Sequence, residues 1–148
     1  MIESWIDALT RVWEIEDGRG GTVKSYRLFE AEELPEALSI YPCAISYPTQ
    51  MDMHSGSAAY NLWQGVTEFH ISPTVEKTAI ADVLRYFARI RSAAAANVTL
   101  GGLVSYFVLD ESSSIQGPVH LEYGEQSPGM GLIVHWTVKE NEPVVIGG

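Results

Sequence analysis

The segment "YNLWQGVTEFHISPTVEKTAIADVLRYFARIR", residues 60–91, decides the fold. Its first part alternates. Trp63, Phe69 and Ile71 fall on one side and Glu68 and His70 on the other, the period-two pattern of a half-buried strand over Tyr60–Ile71. Ser72-Pro73 then reads as a helix start, with Ser72 as N-cap and Pro73 at the first helical position, where no backbone N–H is needed. Glu76 adds a carboxylate in the first turn, where the helix dipole favours negative charge. A helix is expected from about residue 74 to about 95, roughly 33 Å long at its standard rise. Ala79, Ile80, Val83, Leu84, Phe87, Ile90 and Ala94 form its expected buried face. Asp82, Arg85 and Arg89 take the solvated face, spaced for local ion pairs.

Upstream, Ile2, Trp5, Ile6, Leu9, Val12 and Trp13 follow the spacing of an amphipathic helix, with Glu3, Asp7, Thr10, Arg11 and Glu14 opposite. Gly18, Gly20 and Gly21 are expected to end it. Two tryptophans on so short a stripe must dock on something, either this chain's own sheet or a neighbouring subunit. Val23–Phe29 alternates weakly, as a short edge strand would. Cys43–Tyr47 is apolar and β-prone, and Pro48 is expected to close it. Residues 49–58 read as a long loop, an arm or flap.

Downstream, Leu103–Leu109, Pro118–Tyr123 and Gly131–Val138 are strand candidates separated by polar or glycine-rich turns. The short links favour antiparallel neighbours, and each helix has one apolar face to cover. The expected fold class is therefore α+β: a mostly antiparallel twisted sheet of about 4–6 strands with two helices packed on one face. Residues 1–139 read as one domain and residues 140–148 as a flexible C-terminal tail or assembly arm.

Composition narrows the function. The chain has 148 residues, 46% of them hydrophobic and 19% charged, within the range of one independently folding domain. Nine Lys and Arg against nineteen Asp and Glu give a formal net charge of −10. That balance opposes capture of a nucleic-acid backbone, which needs clustered cations. An acidic wall that nucleic acid slides past without sticking fits it equally well. Cys43 is the single cysteine and reads as a small buried apolar residue, which excludes an intrachain disulfide and a multi-cysteine zinc site. Acids and no basic residue in the first seven positions oppose a signal peptide, and no apolar run reaches the ~20 residues of a membrane span.

Patterns that carry nucleotide or hydrolase chemistry are missing, and Gly18-Arg19-Gly20-Gly21 follows a helix instead of a strand. Glu68 and His70 share a strand face, as do His120 and Glu122, and His135 lies on a third strand. Brought together, these side chains could bind a metal or act as an acid–base pair. The plainer reading is that they cover a polar sheet face or a subunit contact. No catalytic residue, cofactor or metal is expected. Arg91 projects midway through the apolar sector of the central helix. It either snorkels to water over the last turn or pairs with an acid of a next subunit.

The order of elements resembles the tail terminator (tail completion) proteins of long-tailed bacteriophages. It is carried by the opening "MIESWIDALTRVW", the proline-broken strand "YPCAISYPT", "WQGVTEFHISP" running into "TVEKTAIADVLRYFARI", and the closing series "VSYFVLD", "GPVHLEYG" and "GLIVHWTVKE". The likeness spans about residues 1–139, and the tail after Glu140 departs from it. It implies a structural virion protein at the head–tail interface, made in the host cytoplasm. Its copies, as a homo-oligomeric and usually hexameric ring, would cap the tail tube and join it to the head connector. DNA would pass through the lumen without sequence-specific binding and without a membrane. No catalytic residue carries over. By position, loop 49–58 and the C-terminal tail would reach neighbouring subunits. Met51, Met53, His54, Arg85, Arg89 and Arg91 are the expected interface residues. The alternatives are a small-molecule-binding α+β domain or a lyase- or isomerase-type enzyme, with His70, Glu68 and Tyr106 lining a cavity, and an adaptor that binds another protein without a ring.

Overall fold

A computed structural model describes residues 2–18, 20–27, 41–56, 59–73, 75, 77–111, 114–121 and 129–141. The elements are α1 (Ile2–Val12), β1 (Lys24–Arg27), β2 (Cys43–His54), β3 (Tyr60–Ser72), α2 (Lys77–Leu84), α3 (Tyr86–Ala96), β4 (Tyr106–Leu109), β5 (Ile115–Leu121) and β6 (Gly129–Asn141). The fold class is α+β, with one mixed sheet in the order β1-β2-β3-β6-β4. β1 runs parallel to β2, and the other pairs are antiparallel. β4 and β5 share one edge of β6: β4 lies along residues 136–139 and β5 along residues 129–134.

The α1 stripe packs within the chain. Trp5, Ile6, Leu9 and Trp13 are fully buried in one cluster with Phe69, Leu132, Val134, Trp136, Val138 and Phe107. Trp13 meets Phe69 and Phe107 edge-to-face at 5.6 and 5.8 Å between centroids, and Trp5 meets Trp63 and Trp136 at 5.8 and 6.0 Å. Both tryptophans therefore serve this chain's own core. The glycines do not end α1, which stops at Val12. They belong to a turn closed by the Glu16–Thr22 bridge, with Gly18 and Gly20 at φ of 80° and 86°, a region that side chains avoid.

Three other expectations change. The segment from residue 49 to 54 is strand: β2 continues through Pro48 to His54, and only residues 55–59 connect it to β3. Pro48 is tolerated because the β2–β3 register shifts between Pro48 and Gln50, so its missing N–H coincides with an irregularity in the ladder. The central helix is bent into α2 and α3 at Arg85. Its buried line is Ala79, Val83, Tyr86, Ile90 and Ala94, whereas Ile80 and Leu84 are 42% and 53% exposed. β6 runs through Glu140 and Asn141, past the expected domain limit, and residues 142–148 lie outside the described residues.

Glu140 explains why β6 runs on. Its carboxylate is buried and accepts hydrogen bonds from Trp5 Nε1 (2.8 Å), Trp63 Nε1 (2.9 Å) and Asn61 Nδ2 (3.1 Å). Burial pushes the carboxyl up, but the bonds from Trp63, Asn61 and Trp5 outweigh it and hold the group below its ordinary value of 4.5. A second close fit lies at Gly65, where an added Cβ would fall on the Trp136 ring and the Tyr47 carbonyl.

Glu140→Ala should lower the unfolding free energy by about 2 kcal/mol or more, because three buried donors lose their acceptor. Denaturant melts followed by tryptophan fluorescence measure this. The Glu140 contribution is present in full above pH 4.5 and is lost as pH falls through the depressed folded value. The melting temperature of the wild type should thus drop on acidification, with a shallower drop in Glu140→Gln. Gly65→Ala should destabilise by about 2 kcal/mol through overpacking against Trp136.

Candidate subunit interface

The distal halves of β2 and β3 form an arm. Beyond the register shift, Met51 pairs with Trp63, Asp52 with Leu62, Met53 with Asn61 and His54 with Tyr60. Residues 49–54 are all exposed, Met51 by 37% and Met53 by 69%. The shift sets Met51 and Met53 on the sheet face of Trp63 and Asn61, and Gln50, Asp52 and His54 on the opposite face. The arm is ordered by contacts within it and with β6, which pairs with Tyr60–Trp63. His54 stacks on Tyr60 at 4.3 Å, and Lys139 Nζ lies 4.4 Å from the Tyr60 ring centre. The signal for this strand was present in the alternation of Gln50, Asp52 and His54 with Met51 and Met53, which the exposure of both faces disguises.

The three expected interface arginines do different work. Arg85 pairs with Asp82 at 3.4 Å one turn back, an exposed contact. Arg89 donates to the Glu16 carbonyl at 3.1 Å, lies against Gly18, and so ties α3 to the turn after α1. Arg91 is exposed and lines a groove of about 850 Å³ between α3, β4 and β5. The other groove walls are largely apolar: Phe87, Ala95 and Val98 from the helix side, Val108, Leu109 and Ile115 from the strands. Ile80, Leu84, Phe87 and Arg91 lie on one flank of the helix, roughly 100° round from the buried line, and Val98 follows in the turn after α3. The wide apolar sector seen in the sequence is therefore two surfaces, one for the core and one facing outward.

The other face of the sheet holds the polar cluster. Cys43 lies opposite His70 and Ile45 opposite Glu68. Tyr47 Oη donates to Glu68 Oε2, and His70 Nε2 is 3.2 Å from Glu68 Oε1. Burial pushes the Glu68 carboxyl up, and the bonds from His70 and Tyr47 overcome it, leaving the group below its ordinary value. Burial, then the Glu68 charge, pushes the Cys43 thiol up to about 12, so it stays protonated. Burial and the bond to Glu68 likewise raise Tyr47.

The remaining histidines are dispersed. His135 is directed to Gln116 Oε1 at 3.1 Å, His120 is exposed on β5, and Glu122 lies outside the described residues. Among the described residues no three His, Cys, Asp or Glu side chains gather to hold a metal. Tyr106 pairs with Lys139 and Glu68 with Ile133, so they stand some six residues apart along β6, roughly 20 Å. The structure does not bring Tyr106 to the Glu68–His70 pair. None of the described helices is long and apolar enough to cross a membrane.

No family model matches the chain, and no curated protein matches it in sequence.

Cys43 should resist a thiol-reactive disulfide reagent in the folded protein at pH 8 and react fully in guanidinium, because its sulfur is buried and protonated. Stoichiometric reaction in native buffer within seconds would contradict the buried assignment.

Proposed function

We propose that this protein is a structural assembly subunit, of the tail-terminator kind, whose copies close into a ring around a lumen that DNA traverses. The observation that carries the reading is the pair of unlike exposed apolar surfaces on one chain: the outer end of β2 with Met51 and Met53, and a hollow beside Arg91. Unlike patches on one chain favour head-to-tail contacts, the geometry that closes into rings. Monomeric proteins seldom expose contiguous apolar surface without a use for it.

Three further points support the same reading. The net charge of −10 suits a wall along which a polyanion slides without being held. The Glu68–His70 pair is consumed by a buried hydrogen-bonded cluster, and Cys43 is kept protonated, so neither is poised for turnover. A single core cluster joining α1, α2 and α3 to the sheet supports both helices lying on one face, leaving the far face and the edges for neighbours. Under this reading the ring caps a tail tube and meets a head connector, and the protein resides in the virion at the head–tail junction.

A second reading rests on the groove itself, whose volume of about 850 Å³ and apolar walls suit a small apolar ligand. Thermal-shift screening against apolar acids separates the two, since only a ligand site stabilises saturably. For the ring, light scattering on purified protein over a rising concentration series should show a discrete mass that is a multiple of 16.3 kDa, with rings visible on grids. A strict monomer at every concentration, which also ignores tail-tube protein, would sink the reading.

A further inference from the structure

The arm and the groove carry opposite charge as well as opposite shape. Between Cys43 and Ser72 the formal charges are Asp52 and Glu68, and Glu68 is held by Tyr47 and His70. The exposed part of β2 therefore carries one charge, Asp52, which is negative, with Lys139 of β6 two strands away over the Tyr60 ring. Among the described residues, Arg91 is the one charged side chain that lines the groove. On a chain of net charge −10, such a local match is not an average property of the surface.

Among the described residues, the arm is paired along one edge of β2. Among the described residues β1 pairs with residues 43–46 of β2, and from Tyr47 outward β2 has β3 on one side only. Edge-on entry of β2 into a cleft would set Met51 and Met53 against one wall and Asp52 against the other, because successive side chains alternate across a strand. Both walls of the groove are largely apolar, with Phe87, Ala88 and Ala95 on α3, and α3 adds the charge of Arg91. β4 and β5 supply Val108, Leu109 and Ile115, and α3 supplies Arg91 and Ser92. An arm cannot reach the groove of its own chain, since β3 and β6 stand between β2 and β4 in the sheet.

Resting on the ring reading above, we infer that β2 of one copy enters the α3–β4–β5 groove of the next, with Met51 and Met53 on the β4–β5 wall and Asp52 paired with Arg91. Methionine suits this role, because its unbranched chain fills an irregular apolar surface without a fixed shape. The ion pair fixes register and direction more than it adds affinity. Each copy offers one arm and one groove, so the contact repeats head-to-tail until the ring closes.

The test is disulfide trapping in the full chain with buried Cys43 left in place. The Met53→Cys/Val108→Cys double variant, mildly oxidised, should give a ladder of covalent oligomers that ends at the ring's subunit number. Each single variant should give no ladder. Asp52→Arg and Arg91→Asp should each weaken self-association by about tenfold, and the two together should recover most of it. Melting temperatures of all variants confirm that they remain folded. Oligomers that form on grids and in light scattering, yet yield no ladder and ignore the charge reversals, overturn this contact and leave the ring reading standing. A chain that stays monomeric throughout overturns both. Saturable binding of the anionic apolar dye anilinonaphthalene sulfonate, lost in Arg91→Asp while the oligomer is unaffected, would assign the groove to a small molecule and overturn the contact.

Discussion

Glu140 accepts hydrogen bonds from Trp5 on α1 and from Asn61 and Trp63 on β3 while standing on β6. One buried carboxylate thus joins the first helix, a central strand and the last strand. A carboxylate in an apolar setting is tolerated only when its oxygens are satisfied, and here three donors converge on them. The rest of the α1 interface follows from this anchor. With Trp5 held by its indole nitrogen, the stripe from Ile6 to Trp13 lies against Phe69, Trp136 and Phe107. The same carboxylate stands beside the outer end of the β2–β3 arm, because it pairs with Asn61, one residue from the arm's last pair. Core packing and arm placement therefore depend on one group.

The bent central helix illustrates how one element can serve two partners. Ala79, Val83, Tyr86, Ile90 and Ala94 are buried against the sheet, while Ile80, Leu84 and Val98 face outward with Arg91. A helix that needed only its own core would carry a narrower apolar stripe and polar residues on its flank. The extra apolar flank has a cost in solubility, which a neighbouring copy would offset under the proposed ring reading.

The chemistry-bearing side chains are dispersed by the same architecture. Glu68 and His70 meet each other and Tyr47 on the far face of the sheet, His135 turns to Gln116, and Tyr106 lies well along β6 from all of them. The Glu68 cluster is a half-buried hydrogen-bonded network that stiffens its face of the sheet. Cys43 beside it is inert as a thiol.

Much of the architecture was legible from local pattern. Strand β3, the helix after it, the buried stripe of α1, the later strands and the buried Cys43 all follow from periods of two and 3.6, which act over a few neighbours, whereas Ser72, expected as the N-cap, is the last residue of β3 and α2 starts at Lys77. What failed did so where a distant contact decides. The strand character of residues 49–54 depends on a register shift at Pro48 and on pairing with β3, and the bend at Arg85 divides an apolar sector that looks continuous in sequence. Glu140, by composition a solvated tail residue, becomes a core residue because Trp5, Asn61 and Trp63 arrive from 135, 79 and 77 positions away. The sequence by itself determined the α+β class and which faces are apolar, since those are properties of short segments. Only the tertiary structure decided which apolar faces meet inside and which remain outside as an arm and a groove, because burial is a relation between segments that no single segment contains.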